Sequence, residues 1–292
     1  MAPNSKQSTP DIRRILLVFK SSKLDRYRDD GSLFARQNPE DDDVSLVYER
    51  LKSAHVEHQS SLEHAEKLFT SLGLEVMRAT QPTKADVRKV DLVVTLGGDG
   101  TFLWTARKVS TTPMLGVNTA PNASTGHYCG ATPSNLSAVL EGIRTGAMQP
   151  EQLPRLTFEI NGNMAPHAAL NDAYFAHRSP GASTRYMLRV GDEREFQVSS
   201  GVWIATQSGS TGGIASAGGK SMPKFSGGTG PVWLTSVYCK SDNQTLASCA
   251  RRGPAFMSGL SSLRVLCGCT RTTPSNVRLS SSTARQSALF GR

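Results

Sequence analysis

The first half of the chain alternates short apolar runs with longer segments in which apolar residues recur every three or four positions. The apolar runs are short and are flanked by polar residues or glycine, a pattern typical of buried strands. The strands predicted in this way are 15–19, 74–77, 90–96 and 114–117.

The segments between these strands predict helices. From Val47 onward, apolar residues form one long helical stripe, and Gly73 supplies a C-terminal stop. Residues 101–109 predict a second helix, and residues 133–146 predict a third helix that Thr132 would cap. Strands that alternate with helices indicate a parallel sheet with helical crossovers.

The pattern changes near Pro150. From Leu156 to Trp203 apolar and polar residues alternate, which predicts a second, β-rich unit. Beyond about residue 224, Ser, Thr, Gly and Arg dominate, and this segment is either a disordered extension or a domain end replaced by a reading-frame or splicing change. We therefore expect an α/β N-terminal domain with a parallel sheet at 12–148, a β-rich and incomplete C-terminal domain at 149–224, and an atypical basic tail at 225–292.

Composition and charge limit the classes of partner that this chain is expected to bind. The chain has 292 residues and a formal net charge of +9, which taken alone would suggest a polyanionic partner. The tail holds 8 basic residues and one acidic residue, whereas residues 1–224 are nearly balanced, so we expect no nucleic-acid partner. No apolar run is long enough for a membrane helix, the five cysteines do not suggest a disulfide scaffold, and no secretory leader is recognisable. We expect a cytoplasmic protein without a membrane partner.

The strongest chemical motif is Gly-Gly-Asp-Gly-Thr at 97–101, between a predicted strand and a predicted helix. Glycines allow backbone N–H groups to approach a phosphate closely, and the helix N-terminus adds a positive dipole. A carboxylate in such a loop would repel a bare phosphate, so the presence of Asp99 needs an explanation. Asp99 could hold Mg²⁺ or accept a proton from an attacking hydroxyl. The alternative is a tight turn in which Asp99 is only a helix N-cap.

Three further motifs follow in order along the chain. Asn118 ends a predicted parallel strand, where ligands bind in open α/β sheets. The pair Asn171-Asp172 could recognise ribose hydroxyls. The Gly/Ser-rich segment 206–219 would let a ligand approach the backbone. Taken singly, each could instead be an ordinary turn or flexible loop.

In this order, the four motifs resemble NAD kinases, and within that family the plant NADH-kinase-like and mitochondrial-type branch. The likeness covers about residues 12–223 and includes the pair Gly126-His127. It implies an α/β domain and a β-rich domain with the site between them. It also implies phosphoryl transfer from ATP, with Mg²⁺, to the 2′-hydroxyl of the adenosine ribose of NAD or NADH. The family commonly forms homo-oligomers, so a dimer is expected.

The resemblance also implies roles for individual residues. Asp99 matches the catalytic aspartate. The ligand-binding residues are then Gly97, Gly98, Gly100, Thr101, Asn118, His127, Asn171, Asp172, Arg185, Ser210, Thr211 and Ser216.

The sequence departs from the family in two places. Gly213 stands where many members have a tyrosine that stacks on a base, and residues 225–292 contain no Asp-Gly motif like the one late in the family's β-rich domain. We therefore predict low stability or low activity. Two alternatives stay open: a non-catalytic isoform that only binds dinucleotide, and a lipid or sugar kinase that shares the glycine motif. Phe102-Leu103-Trp104 stands where lipid kinases have an Asn-Glu pair, which argues against the second.

Overall fold

The computed structural model describes ten stretches of the chain. These are residues 11–22, 24–25, 42–122, 124–179, 181–190, 193–219, 221, 233–237, 263–267 and 275–289. The chain divides into two compact units, one formed by residues 1–152 with 287–292 and the other by residues 153–286. The domain boundaries expected from the sequence stay predictions.

The first unit contains a parallel sheet. Its five strands run in the order β2-β1-β3-β4-β5. They are β1 (Arg14–Phe19), β2 (Glu75–Ala79), β3 (Leu92–Leu96), β4 (Met114–Val117) and β5 (Cys129–Ala131). The apolar runs of β1, β3 and β4 are buried because helices cover the sheet, which confirms the predicted α/β fold.

Four helices with described bounds belong to this unit. They are α1 (Asp42–Ser71), α2 (Lys84–Val87), α3 (Asp99–Ala106) and α4 (Leu136–Arg144). The second half of α1 packs on the core through Leu62, Ala65 and Phe69, whereas Val47 in its first half is exposed. Gly73 ends the helix with a φ of +68°, a value that glycine adopts without strain.

Two helix starts differ from the sequence prediction. Helix α3 begins two residues earlier than expected, and its N-cap is Gly98, so Asp99 is not the cap. Helix α4 begins at Leu136 rather than at 133, with Asn135 as its N-cap, and the Asn135 Oδ1 atom accepts the backbone N–H of Thr132 at 2.7 Å. This hydrogen bond holds Thr132 in the turn before the helix.

The second unit is β-rich, as predicted. Its described strands before residue 220 are β6 (Glu151–Ile160), β7 (Asn163–Met164), β8 (Asp172–Phe175), β9 (Thr184–Val190), β10 (Glu193–Ser199) and β11 (Gly201–Ala205). Strand β11 pairs antiparallel with β8, and β9 pairs antiparallel with β10. A 3-10 turn at Ser208–Thr211 and the one-turn helix α5 (Gly213–Ser216) follow β11.

Three further strands lie in the tail. They are β12 (Trp233–Val237), β13 (Leu263–Cys267) and β14 (Ser275–Leu289). Strand β12 pairs antiparallel with β11, and β13 pairs antiparallel with β9 and β14. The remaining tail residues lie outside the described part, so the predicted disorder or replacement of the tail stays a prediction. Within the described residues, no helix has the length and apolar content needed to cross a membrane.

Candidate functional site

The Gly-Gly-Asp-Gly segment forms the turn from β3 into α3. Gly97 has a φ of +146°, and a Cβ atom there would lie 2.5 Å from Thr101 Oγ1. Its N–H donates to the Val117 carbonyl at 3.0 Å, which ties the turn to the end of β4. The geometry at Gly97 therefore requires glycine for reasons internal to the protein.

Gly100 is different. A Cβ atom at this position would meet nothing within 4 Å, and the residue is exposed. The fold would accommodate an alanine here without a clash. The missing side chain leaves the backbone of the first turn of α3 open to close approach from outside.

Asp99 lies in the first turn of α3 and contacts the loop that leads into β5. Its carboxylate accepts the backbone N–H of His127 at 2.9 Å and that of Tyr128 at 2.7 Å, one on each oxygen. The two hydrogen bonds fix the orientation of the carboxylate at the start of the helix. The sequence motifs around 99 and 127 are thereby brought together.

Asn118 organises the same loop. Its Nδ2 atom donates to the Ser124 carbonyl at 2.9 Å, and its Oδ1 atom accepts from the Ala120 N–H and the Ser124 hydroxyl. Gly126, with a φ of +60°, passes so close that a Cβ atom would lie 2.5 Å from Asn118 Nδ2. The amide thus shapes the loop that presents His127.

Asp99, Asn118 and His127 form a first cluster, which also contains two aromatic contacts and the partly buried thiol of Cys129. Tyr128 is buried and stacks on Phe102, while His127 is exposed and meets the Tyr128 ring edge-on. Burial, together with the negative charge of Asp99, raises the pKa of Cys129 to about 12, so this thiol stays protonated at neutral pH. Cys129 is therefore not a reactive thiolate.

A second cluster lies in the β-rich unit, where the Gly/Ser-rich segment folds over the start of β8. The Thr206 N–H donates to the Asn171 carbonyl at 2.9 Å, and its hydroxyl donates to the Leu170 carbonyl at 2.6 Å. A Cβ atom on Gly209 would overlap the Asn171 carbonyl, at 1.9 Å from its oxygen. The segment can pack this tightly only because position 209 has no side chain.

Asp172 is partly buried beneath this segment. Its Oδ2 atom accepts from the Asn171 side-chain amide at 3.2 Å. Desolvation raises the pKa of Asp172, and a hydrogen bond from the Gly213 N–H opposes this shift without cancelling it. Asn171, Asp172 and the glycine segment therefore form one compact polar cluster.

The other predicted residues of this unit differ in exposure. Ser210 is fully buried, whereas Thr211 and Ser216 are exposed on the same segment. Arg185 is exposed on β9, whose neighbours are β10 and β13, while the cluster is built on β8 and the segment after β11. The ligand-binding roles of these residues stay predictions.

The first unit matches a known family. Residues 44–148 match the profile of the ATP-NAD kinase N-terminal domain, a segment that includes Asp99, Asn118 and His127. Residues 44–148 are thus similar to the N-terminal domain of NAD kinases. The match covers the motif that was expected to bind phosphate, which confirms the resemblance drawn from the sequence.

Plant NADH kinases are among the similar proteins. A probable NADH kinase of Oryza sativa subsp. japonica is 36% identical over 159 residues, which are 47% of this chain and 49% of the rice protein. The NADH kinase of Arabidopsis thaliana is 29% identical over 249 residues, 74% of each chain. For the rice protein and for several bacterial and archaeal NAD kinases, this chain matches about half of the relative's length.

Solved structures of NAD kinases share the fold. An NAD kinase from Archaeoglobus fulgidus, solved in complex with ATP, superposes with a TM-score of 0.62 at 20% identity over 96% of this chain and 93% of the other. Yeast NADH kinase, solved with NADH, gives 0.63 at 15% identity over 96% and 84%. At these identities the likeness concerns the fold.

Sequence reasoning missed several residues around the NAD kinase motif. Lys20, directly after β1, places its Nζ atom 3.4 Å from the Gly100 carbonyl and 5.4 Å from the centre of the Trp104 ring. His58 of α1 contacts Thr119 and Lys20. A lysine at the end of the first parallel strand was the available signal, because that edge of the sheet also carries the glycine loop.

Proposed function

We propose that this protein is an NAD or NADH kinase, which transfers the γ-phosphoryl group of ATP to the 2′-hydroxyl of the dinucleotide's adenosine ribose. The observation that carries the proposal is the Asp99 carboxylate, which the amides of His127 and Tyr128 hold in the first turn of α3 beside the glycine loop. The named activities of the plant, archaeal and yeast relatives agree with it.

Gly100 gives independent support. No atom of the described residues occupies the space of its missing side chain, so the described packing does not require glycine there. A phosphate that approaches the backbone at the N-terminus of α3 would require it. We infer that the donor phosphates lie against this turn.

The proposed reaction needs a positioned base. The 2′-hydroxyl oxygen forms a bond to the γ-phosphorus, the bond from that phosphorus to the β–γ bridging oxygen breaks, and ADP leaves. The hydroxyl proton passes to the Asp99 carboxylate. Each carboxylate oxygen has two lone pairs, so one amide hydrogen bond on each oxygen leaves capacity to accept the proton.

Magnesium would neutralise the charge of the donor phosphates when it is bound. Among the described residues, no group of three or more His, Cys, Asp or Glu side chains could hold a metal ion. Mg²⁺ commonly binds through substrate phosphates, water and one or two carboxylates. We therefore expect the metal to arrive with ATP, and Asp99 is the carboxylate at the loop.

The second cluster would bind the dinucleotide. Asn171 can donate and accept hydrogen bonds, and Asp172 can accept them, which suits ribose hydroxyls. The exposed Thr211 and Ser216 and the exposed Arg185 are the other contacts we propose in this unit. We also propose that the protein forms a homodimer, as expected from the family. We propose a cytoplasmic location as well.

The experiment is a product assay on the full chain with ATP and Mg²⁺, and with NAD or NADH in parallel, in which NADP or NADPH is detected. Asp99→Asn keeps the size of the side chain and removes the base. We expect it to lower kcat about 10²- to 10⁴-fold, the usual contribution of a general base.

The outcomes separate the candidate functions. Product that requires Asp99 supports the kinase. A folded chain that binds dinucleotide but gives no product with either substrate would contradict it and favour a non-catalytic isoform. Phosphorylation of a lipid or sugar acceptor in preference to both dinucleotides would favour the other kinase class.

A further inference from the structure

Lys20 lies beside the glycine loop because of the register of the parallel sheet. Phe19, the last residue of β1, pairs with Leu96, the last residue of β3. The next residues on the two strands are Lys20 and Gly97, so the lysine leaves the sheet at the same edge as the loop. Its Nζ atom reaches the Gly100 carbonyl at 3.4 Å.

The ammonium group of Lys20 also lies over Trp104, 5.4 Å from the ring centre. Neither a carbonyl oxygen nor an indole face carries a full negative charge, so each of these two contacts is weaker than a hydrogen bond between two charged groups. A phosphate oxygen near Gly100 would be a stronger acceptor, because a hydrogen bond between two charged groups is about twice as strong as a neutral one. A short side-chain movement would exchange one acceptor for the other.

The backbone of Lys20 is held in place by His58. The His58 Nε2 atom lies 3.1 Å from the Lys20 carbonyl, and its Nδ1 atom lies 3.2 Å from the Thr119 hydroxyl. A carbonyl only accepts hydrogen bonds, so Nε2 carries the proton toward Lys20. Desolvation lowers the pKa of His58, and the neighbouring His55 lowers it further, although the bond to the Lys20 carbonyl opposes them.

A second histidine holds the segment that follows Lys20. His55, one turn earlier on α1, contacts the Ser22 hydroxyl at 2.8 Å and the Asp25 carboxylate at 3.4 Å. Ser22 also donates to Asp25 at 2.8 Å. Helix α1 thus fixes the chain after β1 at two points, and the Lys20 side chain is the part that can move toward a ligand.

We propose that Lys20 binds the phosphate groups of the phosphoryl donor, and that its ammonium group transfers from the Gly100 carbonyl to a phosphate oxygen when the donor binds. His58 is the positioning residue that keeps Lys20 at the loop. This inference rests on the proposed kinase function, but it makes a claim about donor binding that can be measured without turnover.

The test compares Lys20→Ala, Lys20→Arg and the control Lys89→Ala in the full chain. Lys89 is an exposed lysine just before β3, at the opposite edge of the sheet. Binding of ATP with Mg²⁺, and of inorganic triphosphate, is measured by calorimetry and by tryptophan fluorescence. We expect Lys20→Ala to weaken both about 10- to 100-fold, as for loss of one charge-assisted hydrogen bond. Lys20→Arg should recover part of this loss, and Lys89→Ala should behave as wild type.

Kinetics provide the specificity control. The KM for ATP should rise in Lys20→Ala by a similar factor, while the KM for the dinucleotide stays within about twofold. His58→Ala should raise the KM for ATP by a smaller factor, and His58→Gln, which retains a donor for the Lys20 carbonyl, should restore most of it. A His58→Gln variant as impaired as His58→Ala would contradict the positioning role.

The two hypotheses fail in different ways. Equal ATP affinity in wild type and Lys20→Ala would overturn the role of Lys20 and leave the kinase untouched. ATP binding that depends on Lys20 in a chain that makes no NADP or NADPH would support the binding role and contradict the proposed activity. No ATP binding by the wild type would overturn both.

Discussion

The two polar clusters, around Asp99 and Asp172, each combine an aspartate with a glycine-rich segment, but the surroundings of the two carboxylates differ. Asp99 lies at the first turn of a helix and accepts two backbone N–H groups, at 2.7 and 2.9 Å. Asp172 is partly buried, and desolvation raises its pKa despite hydrogen bonds from Asn171 and Gly213. Two backbone N–H groups orient the first carboxylate, whereas burial makes ionisation of the second costly.

The glycines of the two clusters also differ in what they provide. In the β-rich unit, Gly209 and Gly213 are needed so that the segment can pack on Asn171 and on the Trp203 ring. In the α/β unit, Gly97 is needed for the turn, but Gly100 has open space around it. The motif at 97–101 therefore contains one glycine that the fold needs and one that only an outside ligand would need.

The same substitution at the two aspartates gives the largest expected contrast. Asp99→Asn should lower kcat by about 10²- to 10⁴-fold, because it removes a proton acceptor. It also leaves one of the His127 and Tyr128 N–H groups facing an NH₂ group, so we expect stability to fall by about 1–3 kcal/mol as well. Asp172→Asn should act chiefly on the KM for the dinucleotide and change kcat by less than about tenfold. Steady-state kinetics with both substrates varied will measure this. A Asp172→Asn variant with the kcat loss of Asp99→Asn would remove the distinction.

Alanine substitutions at Gly209 and Gly97 should differ in stability. At Gly209 the new Cβ atom meets backbone, 1.9 Å from the Asn171 oxygen, so we expect a loss of about 3 kcal/mol or more. At Gly97 it meets the Thr101 side chain at 2.5 Å, and the positive φ adds strain, for a loss of about 1–3 kcal/mol. Denaturant unfolding compares the two.

Trp104 belongs to the first unit and Trp203 to the second. When the tryptophans of one unit are replaced by phenylalanine, the remaining tryptophan fluorescence reports on unfolding of the other unit, so each loss of stability can be assigned to a unit. Equal stability losses for Gly209→Ala and Gly97→Ala would show that relaxation around residue 171 is easier than the described packing implies.

The Gly100→Ala variant distinguishes an effect on stability from an effect on ATP binding. The substitution should leave stability unchanged or raise it by up to about 1 kcal/mol, because alanine favours a helix and meets no atom within 4 Å. If donor phosphates lie against this turn, the KM for ATP should nevertheless rise at least about tenfold. Thermal melting and ATP titration measure the two effects independently. Unchanged ATP affinity would place the phosphates elsewhere.

Much of the fold could be predicted because burial leaves a direct trace in the sequence. The central strands of the parallel sheet are covered on both faces, so their runs at 15–19, 90–96 and 114–117 are almost entirely apolar, with Asp91 and Thr95 as the polar exceptions. The start of α4 was misplaced because Thr132 and Asn135 are both suited to a helix start. The choice between them depends on the backbone conformation of the intervening turn, which the residue types alone do not specify.

The candidate site was predictable as a set of motifs but not as a set of contacts. Asp99 and His127 were both singled out from the sequence, yet their contact depends on β5 pairing with β4, which brings together residues 28 positions apart. Lys20 belongs to none of the four motifs found in the sequence. It reaches the glycine loop only through the pairing of β1 with β3, a long-range feature that single-sequence reasoning does not supply.

The smallest expected effect concerns the pH dependence of stability, and it has opposite signs at Asp172 and Asp91. Partial burial alone would raise the pKa of Asp91, but hydrogen bonds from the Arg14 and Arg13 amides and the Arg14 guanidinium outweigh burial and lower it. Asp91 therefore stabilises the fold above the unfolded pKa of about 3.9, and this contribution is lost as pH falls through the lower folded pKa.

At Asp172 the folded pKa is raised, so ionisation opposes folding once the pH exceeds about 3.9, and the penalty is complete above the folded value. At pH 7, Asp91→Asn should be less stable than wild type by no more than about 1 kcal/mol, because the Asp91–Arg14 pair is largely exposed. Asp172→Asn should be more stable than wild type at pH 7, and its advantage should disappear toward pH 4. Denaturant unfolding from pH 3 to 8 measures both differences. If Asp172→Asn were less stable at neutral pH, the hydrogen bonds that Asp172 accepts would outweigh the cost of its burial, and the expected sign at this residue would be wrong.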